Sequence, residues 1–171
     1  MTSLVTIETN AADVSRWLMD KSRNLSAAMR DAMKETEREG LRMYRRTSNN
    51  WSNQPEYKVE REQGSNHITL VFGTSDKIWN WLDRGTRPHI IRPKRAKVLA
   101  FQWGGPGSYK AKTRPGWIGS GSGGPSGDTV FRRAVHHPGT EPRHWTAAIQ
   151  GELDKKSVAI MLRHLERWRL K

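Results

Sequence analysis

The order of the hydrophobic patterns constrains this fold most: two long helical patterns enclose a run of short strand patterns. Residues 10–47 carry apolar and small side chains at three- and four-residue spacing, and residues 142–169 carry a second apolar face. Because the strand patterns are clustered rather than alternated with helices, they predict an α+β fold. We expect a small antiparallel sheet of about four or five strands, packed against both helical regions.

The N-terminal helical region has two interpretations. Asn24 and Ser26 carry helix-capping side chains in the middle of residues 10–47, so the region is either one broken helix or two. Before it, residues 3–9 alternate apolar and polar side chains, which predicts a short edge strand.

The middle of the chain alternates in short segments. Residues 57–61 and 67–72, separated by a Gly-Ser-Asn turn, predict a β-hairpin. Within residues 57–103 we also expect a short helical turn over 77–82 and strands over 89–92 and 98–103, followed by a last strand over 129–135. Residues 104–127 contain nine of the fifteen glycines without periodicity, which predicts a flexible loop.

The size of the chain predicts a single domain over residues 1–171. Apolar residues make up 35% of it, and the mean hydropathy is −0.83. Such a chain builds a modest core, so we expect its remaining apolar stripes to be buried against other copies or partners.

The residues needed for common enzymatic chemistry are missing. The chain contains no cysteine, which excludes disulfides, thiolate zinc sites and cysteine nucleophiles. Neither a P-loop nor a nucleophile elbow is present, and the glycine run over residues 119–124 lacks the flanking strand and helix of a dinucleotide site. We therefore expect no enzymatic activity, no catalytic residue and no cofactor.

Three histidines lie close together in the sequence. His136, His137 and His144 resemble a metal-ligand set, but adjacent side chains in a strand point to opposite faces. The HExxH pattern is also absent. We interpret these histidines as packing and turn residues and expect no metal.

Positive charge is concentrated in one segment. The chain has a formal net charge of +13, and residues 84–114 contain cations without a single acid. These are Arg84, Arg87, Arg92, Lys94, Arg95, Lys97, Lys110, Lys112 and Arg114. Such a surface favours DNA or an acidic protein as its contact. The alternative function is therefore a cytoplasmic nucleic-acid-binding protein that uses the 84–114 surface.

Aromatic residues lie among these cations. Phe101, Trp103 and Tyr109 are interleaved with the basic residues of 84–114, an arrangement found in nucleic-acid grooves. Phe101 and Trp103 are two apart in a strand and share one face, so we expect them to fill the core instead.

The C-terminal helix is the candidate interface. Its apolar face includes Trp145, Ile149, Ile160, Leu165 and Trp168, flanked by basic residues that would steer an acidic partner.

The chain shows no sign of membrane targeting. No apolar run approaches the roughly 20 residues that a membrane helix needs, and the first residues lack the pattern of a signal peptide. We expect no membrane partner and a reducing cytoplasm as the place of assembly.

Two motifs carry a resemblance. The first reads WLDRGTRPHIIRPK and continues into a Val-Leu-Ala-Phe strand, and the second reads VFRRAVHHPGTEPR before the last helix. Their turns contain Gly85, Thr86, His136, His137, Pro138, Gly139 and Thr140. In order and spacing the chain resembles the tail-completion or neck proteins of long-tailed bacteriophages, which are minor tail components. Glycine permits the positive φ that such turns need, so the motifs also have a purely structural rationale.

The resemblance implies a structural virion protein, a head–tail connector at the neck or top of the tail. It implies a homo-oligomeric ring, with six-fold symmetry expected and twelve-fold as the alternative. The implied neighbours are head-completion and tail-tube or tail-terminator proteins, with the end of the packaged DNA as a further partner. Assembly would take place in the host cytoplasm.

Overall fold

The computed structural model describes residues 11–63 and 67–169. Its fold is α+β, as the sequence predicted, with two long helices and small antiparallel sheets. The helices of this part of the chain are α1 (Ala11–Thr47), α2 (Lys77–Arg84) and α3 (Trp145–Arg169). The strands are β1 (Lys58–Gln63), β2 (Ile68–Gly73), β3 (His89–Ile91), β4 (Leu99–Trp103), β5 (Asp128–Arg132) and β6 (Val135–His137).

The helix α1 settles the two interpretations of the N-terminal region. It runs without a break through Asn24 and Ser26, so the region forms a single helix and neither residue acts as an internal cap. The strand predicted over residues 3–9 and the hairpin turn over 64–66 lie outside the described residues.

The strands pair differently from the prediction. Among the described residues, they form three two-stranded antiparallel sheets, β1–β2, β3–β6 and β4–β5, instead of one sheet of four or five strands. Two of these sheets form because the chain runs outward after α2 and returns before α3. The outgoing strands β3 and β4 pair with the returning strands β6 and β5, and among the described residues with no other strand. The strand predicted over 129–135 is divided accordingly into β5 and β6, with residues 133–134 between them.

The described residues form two compact units, those within 1–36 together with those within 154–171, and those within 37–153. The first unit contains parts of α1 and α3, with small side chains, Ala28 and Ala32, buried on α1. Glu35 accepts hydrogen bonds there from Arg163 and from His164 Nε2, the latter at 2.9 Å.

The second unit contains the hydrophobic core. Its buried residues are Met43, Tyr44, Trp79, Ile118, Trp145, Ile149 and Leu153. The rings of Trp79 and Trp145 have centroids 5.4 Å apart, and the ring of Tyr44 lies 5.5 Å from that of Trp79. Both indole groups are satisfied, because Trp79 Nε1 donates to Thr47 Oγ1 at 2.8 Å and Trp145 Nε1 donates to the Trp117 carbonyl at 3.1 Å.

Candidate functional site

Residues 86–140, called the ribbon below, leave α2 at one Gly-Thr turn and return to α3 through another. The two threonines form a reciprocal backbone pair, in which Thr86 N donates to Thr140 O at 3.0 Å and Thr140 N donates to Thr86 O at 3.1 Å. Gly85 has a φ of 75°, and a Cβ there would lie 2.7 Å from the Thr140 carbonyl oxygen. Gly139 has a φ of 92°, and its Cβ would collide with the Thr86 carbonyl. Both turns therefore require glycine.

The base of the ribbon is fixed to the start of α3. The buried carboxylate of Asp83 accepts from Thr146 N at 3.0 Å and from Thr146 Oγ1 at 2.7 Å. In the same place the Leu82 carbonyl accepts from Arg143 N at 2.9 Å. The two sequence motifs thus contact each other, and the first motif caps the helix that follows the second.

The two halves of the ribbon continue from this base as paired strands. His89 pairs with His137 and Ile91 with Val135, in the same register as the Thr86–Thr140 pair. Farther along, Leu99 to Trp103 pair with Arg132 to Asp128, and an isolated bridge joins Lys110 to Gly124.

His136 and His137 lie in the ribbon on β6, whereas His144 lies outside it, directly before α3. The His136 side chain is exposed and that of His137 is partly buried. The His137 ring stacks on His89 with centroids 5.0 Å apart, and Gly139 N donates to His137 Nδ1 at 3.1 Å. Among the described residues, no group of three His, Cys, Asp or Glu side chains is arranged to hold a metal ion.

The glycine-rich segment over residues 104–127 contacts the hydrophobic core and the residues around it. Ile118 is buried in the core, and buried Thr113 accepts from Arg143 Nε at 3.0 Å. Asn50 Nδ2 also donates to the Gly121 carbonyl at 2.6 Å.

The nine predicted cations are all exposed. The strand pairing of the ribbon places four of them opposite two further arginines. Arg84 is the last residue of α2, and Arg87 lies beside the ribbon base. Arg92, Lys94, Arg95 and Lys97 lie in the segment between β3 and β4. Across the ribbon from them are Arg132, the last residue of β5, and Arg133, which follows it. These six residues are called the junction cluster below. Lys110, Lys112 and Arg114 follow in the glycine-rich segment.

Sequence reasoning missed two members of the junction cluster. Arg132 and Arg133 were assigned only to a strand, although their adjacent positive charges in the second motif were visible. The pairing of Leu99 with Arg132 places them opposite the basic run, and pairing across the ribbon cannot be read from local pattern. Within the part of the chain that the structure describes, no cluster member forms an ion pair.

The ribbon also exposes apolar surface. Trp103 is exposed and Phe101 only partly buried, and neither belongs to the core, which corrects the prediction that these rings fill it. The two rings line a cleft of about 920 Å³ with Tyr109 and Trp51. Phe131 is 60% exposed. A two-stranded ribbon has no second layer to cover both of its faces, so such rings stay at the surface.

The structure buries some residues of the candidate interface on α3 and leaves others partly exposed. Trp145 and Ile149 lie in the core with 0% and 2% exposure, so the prediction that they contact another chain is wrong. The side chain of Ile160 is also buried, whereas Leu165 and Trp168 are partly exposed. Sequence reasoning missed Val158 and Leu162, which the helix turns outward.

No helix in the described ranges combines the length and apolar composition needed to cross a membrane. A comparison of the chain with known protein families, curated protein sequences and solved structures finds no match.

Proposed function

We propose that this protein is a structural component of a tailed-bacteriophage virion, a head–tail connector or tail-completion protein at the neck. It carries out no catalysis and uses no cofactor. Copies of the chain form a ring, six-fold in preference to twelve-fold, at the head-to-tail joint. Its neighbours there are head-completion proteins on one side and tail-tube or tail-terminator proteins on the other.

The observation that carries this proposal is the exposed apolar surface of the ribbon. The side chains of Ile90, Trp103, Tyr109 and Phe131 all remain exposed in the single chain. Exposed aromatic side chains are enriched at surfaces that contact another protein. A partner or a neighbouring copy would remove these rings from water.

The ribbon base supports the same role. An arm that contacts a neighbour must keep its direction, and here two glycine turns, the Thr86–Thr140 pair and the Asp83 cap fix its start. In the two motifs, the Asp83 carboxylate and the backbone groups of Thr86 and Thr140 make these anchoring contacts. The motifs therefore serve a scaffold in this proposal rather than a reaction.

The test combines native mass with assembly. Phe131→Ala removes the most exposed phenylalanine ring of the ribbon, and Val71→Ala, an exposed side chain on β2, is the matched control. We expect both variants to fold by circular dichroism. Only Phe131→Ala should lose ring formation, or incorporation into particles that lack the wild-type protein. Normal assembly of Phe131→Ala, or normal particles formed without the protein altogether, would contradict the proposal.

A further inference from the structure

The pairing of the ribbon strands explains why the six cations of the junction cluster lie in one region. The pairs Ile91–Val135 and Leu99–Arg132 bracket a gap that contains seven residues in one half of the ribbon, 92–98, and two in the other, 133–134. On the shorter half the gap measures about 10 Å at roughly 3.3 Å per residue. The longer half must bulge outward over the same distance, which gathers six cations around a short stretch of ribbon.

All charged residues in the two segments that form the junction cluster are positive. The ribbon as a whole contains ten Lys and Arg residues and one acid, Asp128. Residues 92–98 and 132–134 include no acid, and the six cluster side chains are exposed. Since no described carboxylate pairs with them, their mutual repulsion is left for an external anion or salt to relieve.

We infer that the junction cluster binds the phosphate backbone of double-stranded DNA. A DNA duplex carries one negative charge per about 1.7 Å of its axis, so a length of 10 Å presents about six phosphates, which matches the cluster. Four of its six members are arginines, whose planar guanidinium group binds phosphate in a bidentate manner. The remaining ribbon cations, Arg87, Lys110, Lys112 and Arg114, are also exposed.

The composition of the cluster favours a duplex over other anions. Proteins that bind single strands place aromatic rings beneath the bases, and residues 92–98 and 132–134 contain no ring. Contacts with phosphate alone carry no sequence information, so the binding is independent of DNA sequence.

The test measures binding of a short synthetic duplex of arbitrary sequence by fluorescence anisotropy at salt concentrations from about 50 to about 200 mM. Six phosphate contacts predict a slope of about −5 in the plot of log K against log salt. The double variant Arg132→Gln/Arg133→Gln should reduce the size of that slope by about 2. Lys94→Gln/Lys97→Gln, on the opposite half of the ribbon, should have the same effect.

The matched control is Arg45→Gln/Arg46→Gln, an adjacent exposed arginine pair in the last turn of α1. It changes the net charge equally and should leave the slope unchanged. Circular dichroism verifies that each variant is folded. Equal losses in the control and the cluster variants, absence of duplex binding at the lowest salt, or tighter binding of polyglutamate or single-stranded DNA would each overturn the inference. Ring formation and particle assembly are separate readouts, so failure here is distinguishable from failure of the proposed connector role.

Discussion

Thr86 and Thr140 exchange two backbone hydrogen bonds, of 3.0 and 3.1 Å, and this pair closes the base of the ribbon. Each threonine follows a glycine with positive φ, and each glycine lies against the carbonyl of the opposite threonine. Two turns that are far apart in the sequence therefore form one structural joint. The position of the exposed rings and of the junction cluster depends on it.

Substitution of Gly139 should break this joint. Gly139→Ala places a methyl group against the Thr86 carbonyl in a backbone conformation that alanine disfavours, so the free energy of unfolding should fall by about 1–3 kcal/mol. Gly151→Ala is the matched control, because its Cβ would meet nothing within 4 Å in the middle of α3. That variant should gain up to about 1 kcal/mol from helix propensity. Urea unfolding measures both, and equal stabilities would show that the joint tolerates a side chain.

Removal of the Thr86 hydroxyl, in contrast, should not lower the free energy of unfolding. Thr86 Oγ1 is buried and has no hydrogen-bond partner among the described residues. Thr86→Val keeps the shape and the backbone pair while it removes this group, so stability should be unchanged or rise by about 1 kcal/mol. Thermal unfolding provides the measurement. A clear loss of stability would mean that the hydroxyl has a partner in solution.

The cap that Asp83 forms on α3 should contribute to the stability of the fold. Asp83→Ala leaves Thr146 N and Thr146 Oγ1 without their acceptor, and the free energy of unfolding should fall by about 1–3 kcal/mol. Asp154→Ala, which removes an exposed carboxylate from the same helix, should change it little. A double-mutant cycle with Thr146→Ala isolates the pair, and an interaction energy near zero would contradict this role.

The contact of Glu35 with α3 should depend on pH. Hydrogen bonds from His164 and Arg163 hold the pKa of the Glu35 carboxyl below its ordinary range. A lowered folded-state pKa contributes stability that is complete above the unfolded-state pKa, about 4.3 for glutamate, and is lost as the pH falls through the folded-state pKa.

Glu35→Gln should therefore lower the melting temperature at neutral pH, and its difference from the wild type should shrink in acid, below about pH 4. Asp31→Asn, which removes an exposed carboxylate 3.7 Å from Lys34 on α1, is the control. A difference that stayed constant from neutral to acid pH would show that the lowered pKa does not contribute to stability.

The outward face of α3 should contribute to assembly rather than to folding. Leu162 is 55% exposed and Trp168 partly exposed, with Lys21 Nζ 5.3 Å from the center of the Trp168 ring. Leu162→Ala and Trp168→Ala should both retain the helical circular-dichroism signal and reduce incorporation into particles. Truncation of a central aromatic anchor typically costs about 2 kcal/mol or more in binding. If Trp168→Ala unfolds the chain, the ring stabilises the fold, and if both variants assemble normally, this face is not a contact.

The sequence by itself determined the α+β class and most of the helices and strands, because these depend on local periodicity and turn chemistry. Hydrophobic spacing placed α1 and α3 close to their observed bounds, and the Gly-Ser-Asn turn identified the β1–β2 pair. The sequence also predicted that Gly85 and Gly139 occupy turns that need positive φ, and both have it.

Only the tertiary structure decided which segments meet. It paired the two motifs through Thr86 and Thr140, buried Trp145 and Ile118 in one core, and moved Arg132 and Arg133 opposite the basic run. An apolar stripe indicates that a residue is buried, but the partner that buries it comes from elsewhere in the chain. Strand pairing and core packing are contacts between distant residues, and a local pattern carries no information about their partners.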